Sequence, residues 1–284
     1  MARLIADSGS TKTTWCLTDE GKERPVIVRP VHTQGLNPLY ATADDIIAAA
    51  REAVRQTGDA YPDLVQFYGS GCSGDRIPMV EEALRRVFTP ATRIEVASDL
   101  LGACRALYHG SECGIACILG TGAIAARFDA ATGQMQAASS LGYILGDEGS
   151  GAWFGRAVLS DYLKEQMPQR VRTMFEQDFG AVTAESAISH VYQQQFPNRY
   201  LASFAMFIGM HLDVPYCQRL AFDGIETFFR RNVMRLRPSA GESVSFVGSA
   251  AFHLQDTIRQ VAELHDLTVA RIFKDPMEGL IFGK

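Results

Sequence analysis

Residues 2–17, ARLIADSGSTKTTWCL, constrain the fold more than any other stretch of the chain. Apolar β-formers (Leu4, Ile5) lead to Asp7. A small-residue turn follows (Ser8, Gly9, Ser10, Thr11, Lys12, Thr13), and a second strand leaves it through Thr14, Trp15, Cys16 and Leu17. Glycine between serines lets backbone N–H groups converge into an anion-binding concavity. Lys12 adds a mobile positive charge, and Asp7 a carboxylate suited to a hydrated Mg2+. A Walker A loop must run into a helix, whereas this turn runs into a strand, so the expectation is a phosphate-binding hairpin. The same residues also suit an ordinary β-hairpin, and the stretch alone leaves both readings open.

Strand and helix patterns then alternate in two blocks. The first has a strand over 25–31, a sharply turning loop over 33–40 (TQGLNPLY) and a helix over 43–55 with Thr42 as its N-cap. A strand over 64–68 ends in GSGCSG, a helix covers 77–88, a strand over 93–97 ends in Ser98-Asp99, and a helix covers 100–108. Residues 110–112 are small and polar, a candidate seam. Strand 114–119, turn Gly120-Thr121-Gly122 and strand 123–128 then echo the opening hairpin without repeating its residues. The glycine-dense SSLGYILGDEGSG (139–151) precedes a helix over 152–164. Residues 168–236 read as mostly helical, broken at Gly180, Pro197 and Pro215. Strand 243–247 runs into Gly248-Ser249, followed by a helix over 250–265, a strand over 267–272 and a short terminal turn or helix over 276–282. The pattern predicts an α/β chain of two sheet-bearing lobes with a cleft between them. The lobes are expected over residues 1–109 and 110–284, the last residues being free to pack back on the first lobe.

Charge and cysteine use exclude several function classes. A net charge of −5 with no Lys/Arg cluster argues against a nucleic-acid surface. None of the six cysteines forms a C-x-x-C pair or has a histidine at metal-ligand spacing, and several sit in apolar strand-like runs, which suits a reducing, cytoplasmic compartment. The longest apolar stretches, 115–126 and 201–210, are too short to span a bilayer, and no signal or transit sequence precedes the first strand. A soluble protein with no membrane association is expected.

Three small-residue turns after strands, at 7–13, 120–122 and 248–249, are what a nucleotide gripped by bare backbone from both lobes requires. Here the chain resembles the actin, hexokinase and heat-shock-chaperone ATPases. Within them it is similar to the N-acetylglucosamine kinase branch, close to the BadF/BadG-type ATPases. DSGSTKT corresponds to the family's first phosphate loop, LGTGA to its second and FVGSAA to its adenosine loop. LGDEGSGAWFG resembles the family's glycine-rich segment around a sugar-binding aspartate, QGLNP holds an asparagine where such kinases contact sugar, and VASDLLGA holds an aspartate where they keep a catalytic carboxylate.

The resemblance implies a two-lobed, actin-like (ribonuclease H-like) fold with a helical insertion in the second lobe, and an ATP- and Mg2+-dependent kinase for an amino sugar. It implies Asp99 as general base and Asp7 as a metal residue acting through water. Ser8, Gly9, Ser10, Thr11, Lys12, Thr13, Gly120, Thr121, Gly248 and Ser249 would hold ATP; Asn37, Gly71, Thr121, Gly122 and Asp147 would hold sugar. A homodimer is expected only from the resemblance. Each assignment has a plainer counterpart: Asp99, or Ser98 beside it, can simply cap a helix, Asn37 and Asp147 can be turn residues, and Lys12 a solvated turn lysine. Glu148 is read as structural or as a partner of ligand hydroxyls, Trp15 as packing, and Trp153 as packing or as a border of the pocket.

The chain departs from the pattern in two places. Ser8 and Ser10 replace the glycine run common before the threonine of the first loop, and Ala123 stands where a serine is common after the second. No zinc motif of the bacterial glucokinase-type kinases is present. Two rival readings remain: an ATPase activator with an iron–sulfur cluster shared across a dimer, and a non-catalytic ATP- or sugar-binding regulator. The first needs thiolates at a subunit interface, and Cys113 and Cys117 are expected to be buried in or beside an apolar strand instead. The presence of both Asp99 and Asp147 counts against the second.

Overall fold

A computed structural model describes residues 1–19, 26–27, 30–58 and 61–283. The chain divides into two compact units, Met1–Ser111 with Asp275–Lys284, and Glu112–Lys274.

The first unit is built on a sheet of order β3-β2-β1-β5-β6, with β4 also paired to β2. Its strands are β1 (Ala2–Ser8), β2 (Lys12–Asp19), β3 (Val26–Ile27), β4 (Val31–Gln34), β5 (Leu64–Gly69) and β6 (Arg93–Ser98). The strand expected over 25–31 falls partly outside the described residues. β1 and β2 pair antiparallel from Ala2↔Asp19 to Ser8↔Thr13, while β1–β5 and β5–β6 are parallel. Alternation along β1 sends Leu4 and Ala6 to one core with Trp15, Phe67 and the helices α1 (Ala43–Gln56) and α2 (Arg76–Arg85). It sends Ile5 to the other face, where α3 (Asp99–Leu107) and the last helix, Met277–Phe282, contribute Ala106, Met277, Leu280 and Ile281. Thr42 caps α1 through a reciprocal box with Asp45, the signal visible in the sequence.

The second unit repeats that strand plan. Its sheet runs β11-β10-β7-β8-β9: β7 (Cys113–Leu119), β8 (Ala123–Asp129), β9 (Gln134–Ala137), β10 (Ser243–Val247) and β11 (Thr268–Phe273). β7 and β8 form an antiparallel hairpin, and β10 lies parallel to both β7 and β11. The edge strand β9 is exposed at every position, and its alternation, Gln134-Met135-Gln136-Ala137, is too short to announce a strand. Between β9 and β10 lie α4 (Gly142–Leu145), α5 (Gly151–Leu163), α6 (Gln169–Phe179), α7 (Ala184–Tyr192), α8 (Pro197–Ser203), α9 (Met206–Met210) and α10 (Pro215–Phe228). The breaks fall where the sequence put them: Gly180 follows α6 at φ 73°, and Pro197 and Pro215 open their helices. A π-helical turn, Phe229–Val233, ends α10. The single helix expected over 250–265 is two, α11 (Ser249–His253) and α12 (Gln255–Leu264), divided at Leu254; α13 is Met277–Phe282. Among the described residues no helix is long and apolar enough to cross a membrane.

Candidate active site

In the first unit, four loops meet at the carboxyl ends of β1, β5 and β6. The hairpin turn closes through the Gly9 N–H on the Lys12 carbonyl at 3.0 Å, so this amide serves the turn. Among the described residues the amides of Ser10 and Thr11 have no protein acceptor. The Ser8 and Thr13 hydroxyls point inward. They lie 2.9 Å apart and wholly buried, with Ser8 Oγ accepting the Leu36 N–H at 3.0 Å and Thr13 Oγ1 donating to the Gln34 carbonyl at 2.8 Å. These two hydroxyls position the next loop, which leaves the phosphate role expected of Ser8 and Thr13 to their backbone. The loop approaches so closely that a Cβ on Gly35 would stand 2.5 Å from the Ser10 carbonyl oxygen. Asn37 is buried, its Oδ1 accepting the Leu39 N–H at 2.9 Å, and a Cβ on Gly71 (φ 79°) would collide with that same Oδ1. Asn37 therefore has the turn role and also touches Gly71.

Helix capping at α3 falls to Ser98, whose Oγ accepts the Leu101 N–H at 3.2 Å. Asp99 occupies the first helical position and accepts the Leu100 N–H at 2.9 Å and the Ser70 hydroxyl. Desolvation outweighs these bonds and raises its carboxyl above the ordinary aspartate range. Asp7 has the same strand parity as Ile5 and so belongs to the face covered by α3 and α13. Burial, then Asp275, then Asp99 push its carboxyl up to about 8, with Lys12 opposing them. Lys12 Nζ lies 3.7 Å from Asp275 Oδ2. Among the described residues no group of three or more acidic, histidine or cysteine side chains is placed to hold a metal ion, whereas the Asp7 carboxylate beside two acceptor-free turn amides fits a hydrated cation accompanying a phosphate chain. Asp7, with the turn, would hold such an ion; when bound, it would offset charge on the phosphate oxygens.

In the second unit, three motifs meet around the turn Gly120-Thr121-Gly122. The first amides of α5 donate into it, Gly151 N–H to the Gly120 carbonyl at 2.8 Å and Ala152 N–H to that of Thr121 at 3.1 Å. Gly248, at φ 123°, lies against Leu119 so tightly that any Cβ would strike its carbonyl. Ser249 begins α11 directly after it. Asp147, at φ 54°, accepts the Ala123 N–H at 3.1 Å, and a Cβ on Gly122 would stand 3.0 Å from its Oδ2. Burial, more than the neighbouring Glu148, raises the Asp147 carboxyl despite that hydrogen bond. Glu148 points elsewhere: it meets Arg231 at 2.9 Å and accepts from Asn232 Nδ2 at 3.1 Å, on the π-helical turn. Its role is structural.

The sequence reading missed Gly35, Ser70 and Asp275. The first two lie inside strings already singled out, but nothing local marks Asp275 as a neighbour of Asp7. Trp15 is a core residue, wholly buried, and Trp153 packs beside Phe154. Of the suspected thiol pair, Cys117 is buried as expected but Cys113 is exposed at the open end of β7, a correction. Burial pushes Cys72 and Cys104 up to about 12, so these thiols stay protonated. A cavity of ≈ 590 Å³ lined by Asp161, Arg170, Tyr216 and Arg219, among others, belongs to the helical layer and includes none of the motif residues.

Two α/β units with the same strand order, each with a small-residue turn after its first strand, define the two-lobed actin- and hexokinase-like ATPase fold. A candidate N-acetylglucosamine kinase from Porphyromonas gingivalis is 42% identical to the chain, matching 98% of it and 96% of its own length with a TM-score of 0.89. The chain belongs to the family of that protein, the N-acetylglucosamine kinase branch of the BadF/BadG-type ATPases. A candidate N-acetylglucosamine kinase from Chromobacterium violaceum, at 18% identity over 99% of the chain and 97% of its own, has the same fold at a TM-score of 0.74. So does a hexokinase from Schistosoma mansoni complexed with glucose, at 14% identity over 98% of the chain and 83% of its own, TM-score 0.53. No family model and no curated protein sequence matches the chain.

Proposed function

We propose that the chain is a sugar kinase that moves the γ-phosphoryl group of ATP to the 6-hydroxyl of an amino sugar, N-acetylglucosamine before others. Phosphoryl transfer asks for an alcohol in line with the phosphorus, a base for its proton and positive charge on the phosphate oxygens. Asp99 is the base in this reading, and it is the observation that carries it. Ser98 has taken over the capping, so the helix does not need a carboxylate at position 99, yet one stands there close enough to Asp7 to perturb it. Its raised affinity for a proton matches the task of accepting one from an alcohol. The Ser10 and Thr11 amides and Lys12 receive phosphate, and Asp7 holds the hydrated metal ion. The Gly120–Gly122 and Gly248–Ser249 turns let the nucleotide approach bare backbone. Asp147 accepts sugar hydroxyls above Gly122, and Asn37 with Gly71 forms a second sugar contact.

The family relation supports the substrate class. A coupled ADP-release screen over N-acetyl sugars, free amino sugars and plain hexoses tests the reading. Turnover greatest with N-acetylglucosamine is expected. ADP release that no sugar stimulates would refute it, and turnover confined to unsubstituted hexoses would overturn the amino-sugar assignment.

A further inference from the structure

The cavity in the helical layer of the second unit, ≈ 590 Å³, is of the size that takes a small molecule. The end of α5, the start of α6 and the start of α10 surround it. The Tyr216 hydroxyl donates to Asp161 Oδ2 at 2.8 Å and so pins α10 to α5 at its wall. Val171, Val214 and Leu220 give the lining an apolar part. Arg170, in the first turn of α6, and Arg219, in the second turn of α10, bring two cationic side chains to it. Arg172, one turn-position along on α6, is held by Glu176, and Arg231 by Glu148. Among the described residues neither Arg170 nor Arg219 has any hydrogen bond or ion pair. No side chain caps α6 or α10, so the positive ends of both helices also stay uncompensated beside the cavity. Asp213 and Asp223 line it too, and among the described residues neither carboxylate is hydrogen-bonded or ion-paired.

We propose that this cavity binds a phosphorylated sugar, at a site separate from the two turns. Arginines on two different helices suit a phosphate group, because each guanidinium offers paired donors in a planar fork. Two carboxylates without partners suit hydroxyl groups, which donate to them, whereas they repel a bare anion. The apolar residues take the C–H face of the sugar ring. Inorganic phosphate supplies the first set of contacts without the second, and it meets the repulsion of Asp213 and Asp223 uncompensated. Such binding does not require the chain to be a kinase.

Calorimetric titration of the full chain with glucose 6-phosphate and, separately, with inorganic phosphate checks the site. Glucose 6-phosphate is expected to bind the tighter of the two. Arg170→Gln and Arg219→Gln, both at exposed positions, are each expected to weaken that binding roughly tenfold, while Asp147→Asn at the second turn leaves it in place. Asp223→Asn is expected to move the two ligands in opposite directions, weakening glucose 6-phosphate and strengthening inorganic phosphate. Binding lost in Asp147→Asn but kept in both arginine variants would put the sugar phosphate at the second turn and overturn the proposal. Equal affinity for inorganic phosphate, or no binding of glucose 6-phosphate at all, would overturn it as well.

Discussion

The two hairpin turns occupy equivalent places in two sheets of the same strand order, yet their surroundings differ chemically. Around Ser8–Lys12 the loops bring three aspartates and a lysine; around Gly120–Gly122 they bring glycine, helix amides and a single aspartate. The amides of α5 are also used differently from a phosphate-binding helix start, because they donate to the turn's own carbonyls and make it rigid. A shared topology therefore supplies two places where ligand can approach backbone, and the side chains returning to each turn decide what approaches. In the proposed reading the first takes a metal-bearing phosphate chain, and the second a sugar and the remainder of a nucleotide.

Asp99→Asn should break the comparison most severely. Loss of the base is expected to reduce kcat by roughly 100- to 10,000-fold, with ATP and sugar still binding by calorimetry; an unchanged kcat would remove Asp99 from the chemistry. In the wild type, the acid limb of the kcat profile should fall above the ordinary aspartate pKa of about 4, because desolvation favours the protonated acid.

Matched glycine substitutions come next. A Cβ at Gly35 presses on the Ser10 carbonyl and one at Gly122 on Asp147 Oδ2. Gly35→Ala is expected to raise the nucleotide Kd several-fold with little change for sugar, and Gly122→Ala to do the reverse. Equal effects on both ligands from either variant would erase the distinction between the turns.

A smaller effect is expected from Asp147→Asn on the ligand-free protein. A carboxyl with a raised folded pKa contributes stability below its unfolded pKa and loses it as pH rises through the folded value. Melting temperature should therefore fall less steeply with pH above about 4 in this variant than in the wild type. Parallel curves would contradict the burial of that charge. Least is expected from Glu148→Gln. Weakening its contacts with Arg231 and Asn232 should cost about 1–3 kcal/mol in denaturant unfolding and leave the sugar KM unchanged, whereas a raised KM would put Glu148 with Asp147 at the ligand.

Much of the first unit was legible because its signals are local. The Ala2–Ser8 and Lys12–Asp19 hairpin, the Thr42 cap and the helix following Ser98 each depend on neighbours within a few residues. β9 was invisible because four exposed residues are too few to show a period, and the division at Leu254 because apolar residues continue across it. Within the site, the family resemblance pointed to Asp99 and Asp147, while the residues themselves left capping or turn chemistry indistinguishable from a catalytic or binding role, since each uses the same carboxylate at the same position.

The sequence by itself determined two α/β blocks, their small-residue turns and the acids beside them, because turn chemistry and side-chain periodicity act over short range. Only the tertiary structure decided which hydroxyls turn inward, that Ser98 caps in place of Asp99, that Glu148 serves Arg231 while Asp147 stays by Gly122, and that Asp275 joins Asp7 across more than two hundred residues of chain. Such groupings depend on the parity of a strand and the direction of a returning helix, and these are settled only when the sheet and its covering helices pack.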